Sequence, residues 1–158
     1  MIVDSGERRQ FETGAVRDIQ EGKGRCDLLP LDVVNLITEG WVFDHIHKFQ
    51  ETGDVSFLIL ILQARFMFGD METMLLEVSK HFEEGALKYG DRNWEKGIPV
   101  HCYIDSAVRH FLKWLRGDTD ERHDRAFCWN ILCCIWTMKH KPELDDFTKE
   151  GLKRNDCN

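Results

Sequence analysis

The sequence predicts an all-α protein, folded as a compact helical bundle behind an N-terminal arm. Apolar residues recur every three to four positions in several segments, which is the period of an amphipathic helix. Glycine or proline separates these segments, and no partner strands are evident. The chain of 158 residues, with 42% hydrophobic and 31% charged residues, has the size and composition of one soluble globular domain.

The N-terminal third is predicted to contain an arm and short helices. Residues 1–30 carry charge and glycine but little periodicity, and we interpret them as an extended arm or loop. Residues 31–39 are expected to form a short helix that ends at Gly40, and residues 41–50 another. The apolar segment 55–68 fits a buried helix or a strand by its pattern, and we favour a helix because no partner strands are evident.

Three longer helices are predicted from their end signals. They run from Asp70 to Gly90, from Pro99 to Gly117, and over about residues 119–139, with Asp118 as the N-cap and Pro142 as the stop of the third. The third is apolar nearly all round, so it should lie centrally. We therefore place the domain at residues 31–142 and expect the polar tail, 143–158, to fray.

Charge and cysteine content narrow the function classes. Acidic residues outnumber basic ones by 28 to 21, a net charge of −7, which argues against binding to nucleic-acid polymers or anionic membranes. The six cysteines include no CxxC pair, and we interpret them as reduced thiols of a cytoplasmic protein. The N-terminus is too polar for a signal peptide, and the longest apolar run, residues 57–62, is too short to cross a membrane.

Acidic side chains border the predicted core on each of the three longer helices. They are Glu83 and Glu84, Asp105, and Glu121, with Asp124 in reserve. Carboxylates that project inward from facing helices are how bundles bind divalent metal ions. The alternative is structural. Glu84 and Lys88 have the spacing of a surface ion pair. Asp105 and Arg109 have the same spacing, while Glu121 fits a helix-capping role.

Basic, amide and aromatic side chains add features that suit a nucleotide. Lys23 and Arg25 lie among glycines, and they either meet phosphates or belong to a solvated loop. The end of the first long helix and the loop after it hold further candidates: Lys88, Arg92, Asn93 and Trp94. An indole can stack on a base, and an amide can bind the edge of a base.

The last two long helices carry polar residues beside the core. His123 and Asn130 share one face of an apolar segment. A buried amide needs a partner, which is a backbone carbonyl, a carboxylate or a ligand. On the preceding helix, Arg109 suits a phosphate, and His110 is either a surface residue or a phosphate contact.

Several segments together resemble one enzyme family. They are HFEEGALKYGDRNWEKGIP at residues 81–99, YIDSAVRH at 103–110, GDTDE at 117–121, ETGAVRD at 12–18 and GKGRCDLLP at 22–30, together with His123 and Asn130. The pattern covers roughly residues 11–138 and resembles the phage dATP/dGTP diphosphohydrolase (MazZ-type) family, which is similar to the MazG-like all-α NTP pyrophosphohydrolases. MazG-like enzymes usually carry EExxE on one helix and ExxD on the next. Here Leu87 occupies the fifth position of the first motif. Glu121 with Asp124 fits the second, but a whole extra helix separates the two motifs.

The resemblance implies hydrolysis of dGTP or dATP between the α and β phosphates, which gives the deoxynucleoside monophosphate and pyrophosphate. It implies Mg²⁺ as the cofactor, with Mn²⁺ as its substitute, and a homo-oligomer, for which the apolar segment 57–68 offers a surface. For a phage-encoded chain the location would be the host cytoplasm.

On this hypothesis the acids bind the metal and the bases and rings bind the nucleotide. The metal ligands are assigned to Glu83, Glu84, Asp105 and Glu121, and Glu83 or Glu84 is also the general base. Substrate contacts are assigned to Lys23, Arg25, Lys88, Arg92, Asn93, Trp94, Arg109, His110, His123 and Asn130. Two alternatives stay open: a phage protein that binds or sequesters nucleotides without turnover, and a purely structural helical protein.

Overall fold

A computed structural model describes residues 5–38 and 40–156, and it confirms the all-α class. In this part of the chain the helices are α1 (Leu31–Thr38), α2 (Trp41–Thr52), α3 (Ser56–Gln63), α4 (Met71–Tyr89), α5 (Val100–Arg116), α6 (His123–His140) and α7 (Lys149–Asp156). Two short strands, β1 (Arg8–Gln10) and β2 (Val16–Asp18), precede them. Short 3₁₀ turns occupy Cys26–Leu28, Asn93–Lys96 and Pro142–Leu144.

Helices α5 and α6 form the centre of the core. Tyr103, Ile104 and Phe111 of α5 are buried, as are Phe127 and Ile131 of α6. Each large apolar side chain removed from water in this way stabilises the fold by roughly 1.5–3 kcal/mol. The sequence also predicted apolar, unpaired cysteines on α6, and three of them are free and buried there: Cys128, Cys133 and Cys134.

The apolar segment after α2 is helical, as expected, because α3 occupies most of it. Leu58 and Ile61 face the core, while Leu60 and Phe66 stay exposed. The subunit interface expected on this segment therefore stays a prediction. None of the described helices combines the length and the apolar character needed to cross a membrane.

Helix α4 begins and ends where local signals place it. The Asp70 carboxylate accepts a hydrogen bond from the backbone N of Thr73 at 2.7 Å, and Gly90 closes the helix with φ +87°. The predicted start of α6 was wrong: the helix begins at His123 rather than near residue 119. Asp118 does not cap it, because its carboxylate is paired with the Arg116 guanidinium.

The polar tail contains a helix instead of fraying. Asp145 is buried, and its carboxylate accepts hydrogen bonds from the backbone N of Phe147 at 3.3 Å and of Thr148 at 3.0 Å, just before α7. A Cβ on Gly151 would lie 2.2 Å from the Asp145 carbonyl oxygen, so only glycine fits there. The Phe147 ring stacks on Phe49 of α2 with centroids 6.2 Å apart. These tertiary contacts anchor a segment that has no apolar periodicity of its own.

The N-terminal arm forms an antiparallel hairpin, in which Arg8 pairs with Asp18 and Gln10 with Val16. Strands of three residues are too short to show an alternating pattern, which is why the sequence did not reveal them. The Asn93 amide fixes the hairpin to the α4–α5 connection, since it donates to Val16 O at 2.8 Å and accepts from Val16 N at 2.9 Å. The hairpin is thereby held beside α5.

Candidate active-site cleft

A cleft of about 950 Å³ opens between the hairpin, α4, the α4–α5 connection and the facing parts of α5 and α6. Cationic side chains line it (Arg9, Arg17, Lys23, Arg92, Arg109 and Lys113), and carboxylates line it as well. Aromatic rings form part of its wall: Phe82 lies 5.4 Å from Trp94 and 5.7 Å from Trp129, measured between ring centroids. The cleft therefore combines positive charge, negative charge and ring faces in one volume.

Arg17 projects from β2 into the cleft lining, where neutral groups hold its guanidinium. The guanidinium donates hydrogen bonds to Cys102 O at 3.1 Å, to Ser106 Oγ at 3.1 Å and to Asn130 Oδ1 at 3.0 Å. It also lies 5.4 Å from the centroid of the Tyr103 ring. None of the ion pairs among the described residues involves Arg17. Its charge is thus available to an anion that enters the cleft.

A second guanidinium meets Arg17 at Ser106. Arg109 donates to the same Ser106 Oγ at 3.1 Å, and it forms an ion pair with Asp105 at 2.8 Å. Asp105 is only 1% exposed, and its other carboxylate oxygen accepts from the backbone N of Cys26 at 2.6 Å. Two guanidiniums thus meet at one hydroxyl. Because Asp105 offsets the charge of Arg109, it is Arg17 that supplies the net positive charge suited to a phosphate chain.

Two imidazoles and a carboxylate meet where α5 faces the start of α6. The Nδ1 atoms of His110 and His123 lie 3.0 Å apart. Glu121 Oε1 lies 3.2 Å from His110 Nδ1 and 3.6 Å from His123 Nδ1. Burial lowers the pKa of His110 well below its ordinary value, and the positive charge of Arg109 lowers it further, so His110 is neutral at pH 7.

His123 is oriented by a carboxylate on its other nitrogen, because its Nε2 lies 2.7 Å from Asp120 Oδ1. His81 lies at the opposite side of the aromatic wall, with its ring centroid 5.5 Å from that of Trp129. Burial, followed by the charge of Arg17, lowers the pKa of His81 to about 4. The cleft therefore contains neutral imidazoles next to fixed positive charges.

Comparison with known proteins identifies the family. Residues 50–147, well over half of the chain, match the family model described as dATP/dGTP diphosphohydrolase, N-terminal. The chain belongs to the dATP/dGTP diphosphohydrolase family. No curated protein and no solved structure matches it.

The part that matches the diphosphohydrolase family contains α3 to α6 and hence most of the cleft wall. The hairpin lies outside the match, so Arg17 enters a cleft that the matched helices build. The family resemblance predicted from the sequence is confirmed.

The four carboxylates predicted to bind metal in this diphosphohydrolase-family chain do not come together at one site in the structure. Glu83 is exposed and lines the cleft, as does Glu121, whereas the Glu84 carboxylate lies outside the lining, 3.9 Å from Arg125. Asp105 is turned into the core beside Arg109. Within the described residues, two groups bring three metal-ligand atoms within 4.8 Å of one another: His110, Glu121 and His123, and Asp118, Asp120 and His123. Of the four predicted metal ligands, these groups contain Glu121.

Of the basic residues predicted to contact the substrate, some line the cleft and others do not. Lys23, Arg92 and Arg109 line the cleft, where Lys23 pairs with Asp18 and Arg92 with Glu95. Arg25 and Lys88 lie outside its lining, and Arg25 is paired with the buried Asp27. Lys88 is half-buried on α4.

The amide and aromatic residues have defined partners. Asn93 lines the cleft, but both ends of its amide bind Val16, and Trp94 packs against Trp136 with centroids 4.9 Å apart. Asn130 lines the cleft, accepts from Arg17, and donates to the Ala126 carbonyl at 2.8 Å. The buried amide thus has the backbone partner that was one of the sequence-based alternatives. His110 lines the cleft, and His123 supports it from behind.

Sequence reasoning missed several residues of the cleft, above all Arg17 and His81. Arg17 belongs to a segment of the family resemblance, residues 12–18, but its strand is too short to show which way its side chain points. His81 stands at the start of another such segment, on the flank of α4 next to the core. Other residues of the lining that were not assigned to the site include Arg9, Phe82, Ser106, Lys113, Asp120 and Trp129.

Proposed function

We propose that this chain hydrolyses dGTP, dATP or both between the α and β phosphates, giving the deoxynucleoside monophosphate and pyrophosphate. Family membership supports a diphosphohydrolase of this class. The observation that carries the proposal is the meeting of Arg17 and Arg109 at Ser106, in the same cleft as the carboxylates of Glu83 and Glu121. A triphosphate needs such positive charge, and hydrolysis needs an acceptor for the proton of water.

The dimensions and lining of the cleft support a nucleotide as the substrate. Its volume of about 950 Å³ is at the upper end of ordinary small-molecule sites. The two guanidiniums would bind the phosphates, and the rings of Phe82, Trp94 and Trp129 offer apolar surface for a purine. Asn93 and Asn130 shape the site through their protein partners.

The chain's own residues supply the proton transfer and the charge in this proposal. Glu83 takes the proton from the attacking water, because its carboxylate lines the cleft. Arg17 and Arg109 stabilise the negative charge that grows on the leaving pyrophosphate. The substrate would arrive as its Mg²⁺ complex, for which Mn²⁺ would substitute, and the bound cation would neutralise phosphate charge.

The carboxylates of the site differ in how well they are placed to bind that cation. Glu83 lines the cleft, and carboxylate oxygens are the donors that Mg²⁺ prefers. Glu121 also lines the cleft, but its Oε1 faces the imidazoles of His110 and His123. Asp105 is less suited, since Cys26 N and Arg109 already occupy its two oxygens.

Incubation with dGTP and Mg²⁺ in ¹⁸O-labelled water tests the reaction and its position. We expect dGMP and pyrophosphate as the products, measured by chromatography and ³¹P NMR. The position of the label then shows whether water attacks the α or the β phosphorus. Formation of dGDP and inorganic phosphate would contradict α–β cleavage, and the same assay with dATP, GTP and ATP defines the base and sugar preference.

A matched pair of α4 variants tests the role of Glu83. Glu83→Gln should lower kcat by about 100-fold or more, as expected for loss of a general base. Glu72→Gln removes an exposed carboxylate from the first turn of the same helix, outside the cleft lining, and should leave kcat unchanged. A sequestering protein would instead show a nucleotide-induced rise in Tm with no product, and a purely structural protein would show neither.

A further inference from the structure

The imidazole and carboxylate cluster at the start of α6 has the geometry of a metal site. Its three donor atoms are His110 Nδ1, His123 Nδ1 and Glu121 Oε1, separated by 3.0, 3.2 and 3.6 Å. A single ion at about 2.0–2.2 Å from each atom fits these separations, which are the bond lengths of zinc to imidazole and carboxylate. The three donor atoms are therefore close enough together to surround one cation, which would replace the proton that the two imidazoles share.

The surroundings of the cluster hold its donors in place. The His123 side chain is 1% exposed and that of Glu121 is 9% exposed. Asp120 Oδ1 lies 2.7 Å from His123 Nε2, so that nitrogen carries the proton and Nδ1 presents its lone pair to the cluster. A carboxylate bound to the far nitrogen of a metal-ligating histidine is the usual support of such a ligand.

We propose that His110, Glu121 and His123 bind one first-row transition-metal ion of the Zn²⁺ type at the edge of the cleft. Two imidazole nitrogens and one carboxylate are the donor set of catalytic zinc sites, which keep a fourth position open. Mg²⁺ prefers oxygen donors, so the cluster discriminates against it. His110 and Glu121 line the cleft, and the open position is therefore available to water or to a phosphate oxygen.

The neighbouring group of Asp118, Asp120 and His123 is a weaker candidate. The Asp118 carboxylate is bound by Arg116, and Asp120 lies 3.1 Å from the Lys113 ammonium. Cations already neutralise these acids, and Asp120 is engaged in orienting His123. The ion is therefore assigned to the Nδ1 side of His123.

This inference goes beyond the proposed function, because metal binding is measured without nucleotide. The purified full chain, stripped with a chelator, is dialysed against Zn²⁺ and, separately, Co²⁺. We expect one ion per chain, a rise in Tm, and visible Co²⁺ absorption without the near-ultraviolet band of a thiolate ligand. Millimolar Mg²⁺ should not displace the ion, and NMR of ¹⁵N-labelled histidine should report ligation through Nδ1.

Variants locate the site. Glu121→Gln and His110→Ala should abolish stoichiometric binding, and Asp120→Asn should weaken it about 10- to 100-fold, the usual effect of losing a supporting carboxylate. His101→Gln is the matched control, because it removes a histidine outside the cluster on the same helix. Glu121→Gln keeps the size of the side chain, and circular dichroism checks that each variant is folded.

Three results would overturn the proposal. One is a folded wild-type chain that binds neither Zn²⁺ nor Co²⁺ at stoichiometric concentration. Another is binding that survives both His110→Ala and Glu121→Gln. The third is binding that Asp118→Asn removes and His110→Ala retains, which would place the ion in the neighbouring group. None of these results bears on whether dGTP is hydrolysed, so failure here is distinct from failure of the proposed hydrolase.

Discussion

His101 and His110 lie on the same helix, α5, and their environments give them opposite charge states. At the start of the helix, a hydrogen bond with Asp146 raises the pKa of His101 to about 10. Further along the helix, burial beside His123 and Arg109 lowers the pKa of His110 well below its ordinary value. The residue type is the same, and only the neighbours differ. A charged histidine serves an ion pair, whereas a neutral one offers a lone pair to a metal or accepts a proton.

Replacing each histidine in turn should give the largest contrast. In the proposed reaction His110→Ala should lower kcat/KM by about a thousandfold, because the cleft would lose a neutral imidazole that can accept a proton or bind a metal ion beside Glu121. His101→Gln should leave kcat/KM within about twofold. Steady-state assays of both variants with dGTP check this, and comparable losses would mean that α5 matters only as a scaffold.

Replacing the carboxylates of Asp105, on α5, and Asp146, just before α7, should show how much a buried ion pair and a partly exposed one each contribute to stability. Asp105→Asn leaves Arg109 without its buried counter-ion and should destabilise the fold by about 3 kcal/mol. Asp146→Asn removes a carboxylate that is 34% exposed, and its cost should stay below about 1 kcal/mol. Urea denaturation followed by circular dichroism measures both. Equal destabilisation would show that burial does not set the strength of these pairs.

Replacing Arg17 removes one of the positive charges that surround the neutral histidines of the cleft. Arg17→Gln should lower kcat/KM by roughly 30-fold, the equivalent of losing charge-assisted hydrogen bonds worth about 2 kcal/mol. The pKa of His81 should also rise from about 4, because the Arg17 charge contributes to lowering it. Kinetics and NMR titration of the imidazoles test the two effects separately. Arg8→Gln, on the neighbouring strand and outside the cleft lining, is the control and should change neither.

The smallest effect is expected in the pH dependence of stability. Because the folded-state pKa of His101 is raised, its stabilising contribution is complete below the unfolded pKa of about 6.5 and is lost as the pH rises to about 10. The wild type should exceed His101→Gln in Tm by about 2 °C at pH 6, and the difference should vanish near pH 10. Thermal unfolding followed by circular dichroism from pH 6 to pH 10 measures the difference. A constant difference across this range would contradict the ion-pair assignment.

Local signals predicted the helices whose ends depend on nearby residues. Asp70 caps α4 through a contact three residues away, and the apolar stripe of α5 matches its buried face. Prediction failed where a distant partner decides the outcome. Asp145 and Gly151 anchor α7 through contacts that carry no periodic signal. Asp118 resembles a cap in the sequence, but it binds Arg116 instead.

For the site, as for the fold, the sequence predicted some residues correctly and missed those that depend on distant contacts. Glu121, Arg109 and His110 were named from their helices, and they line one cleft. Helical spacing also placed Asp105 at the edge of the core, but it could not show that Cys26 N and Arg109 would take both carboxylate oxygens. Arg17 was not among the predicted contacts, because its role depends on how the hairpin lies on α5.

The sequence by itself determined the helical periods, most of the helix ends and the family, since each of these is written in residues close together along the chain. Only the tertiary structure decided which charges meet. Arg17 reaches Asn130, and His110 reaches His123, across connections whose geometry no local pattern encodes. The ionisation of a side chain and the ligands it can bind depend on the few ångströms around it, and those neighbours come from other parts of the fold.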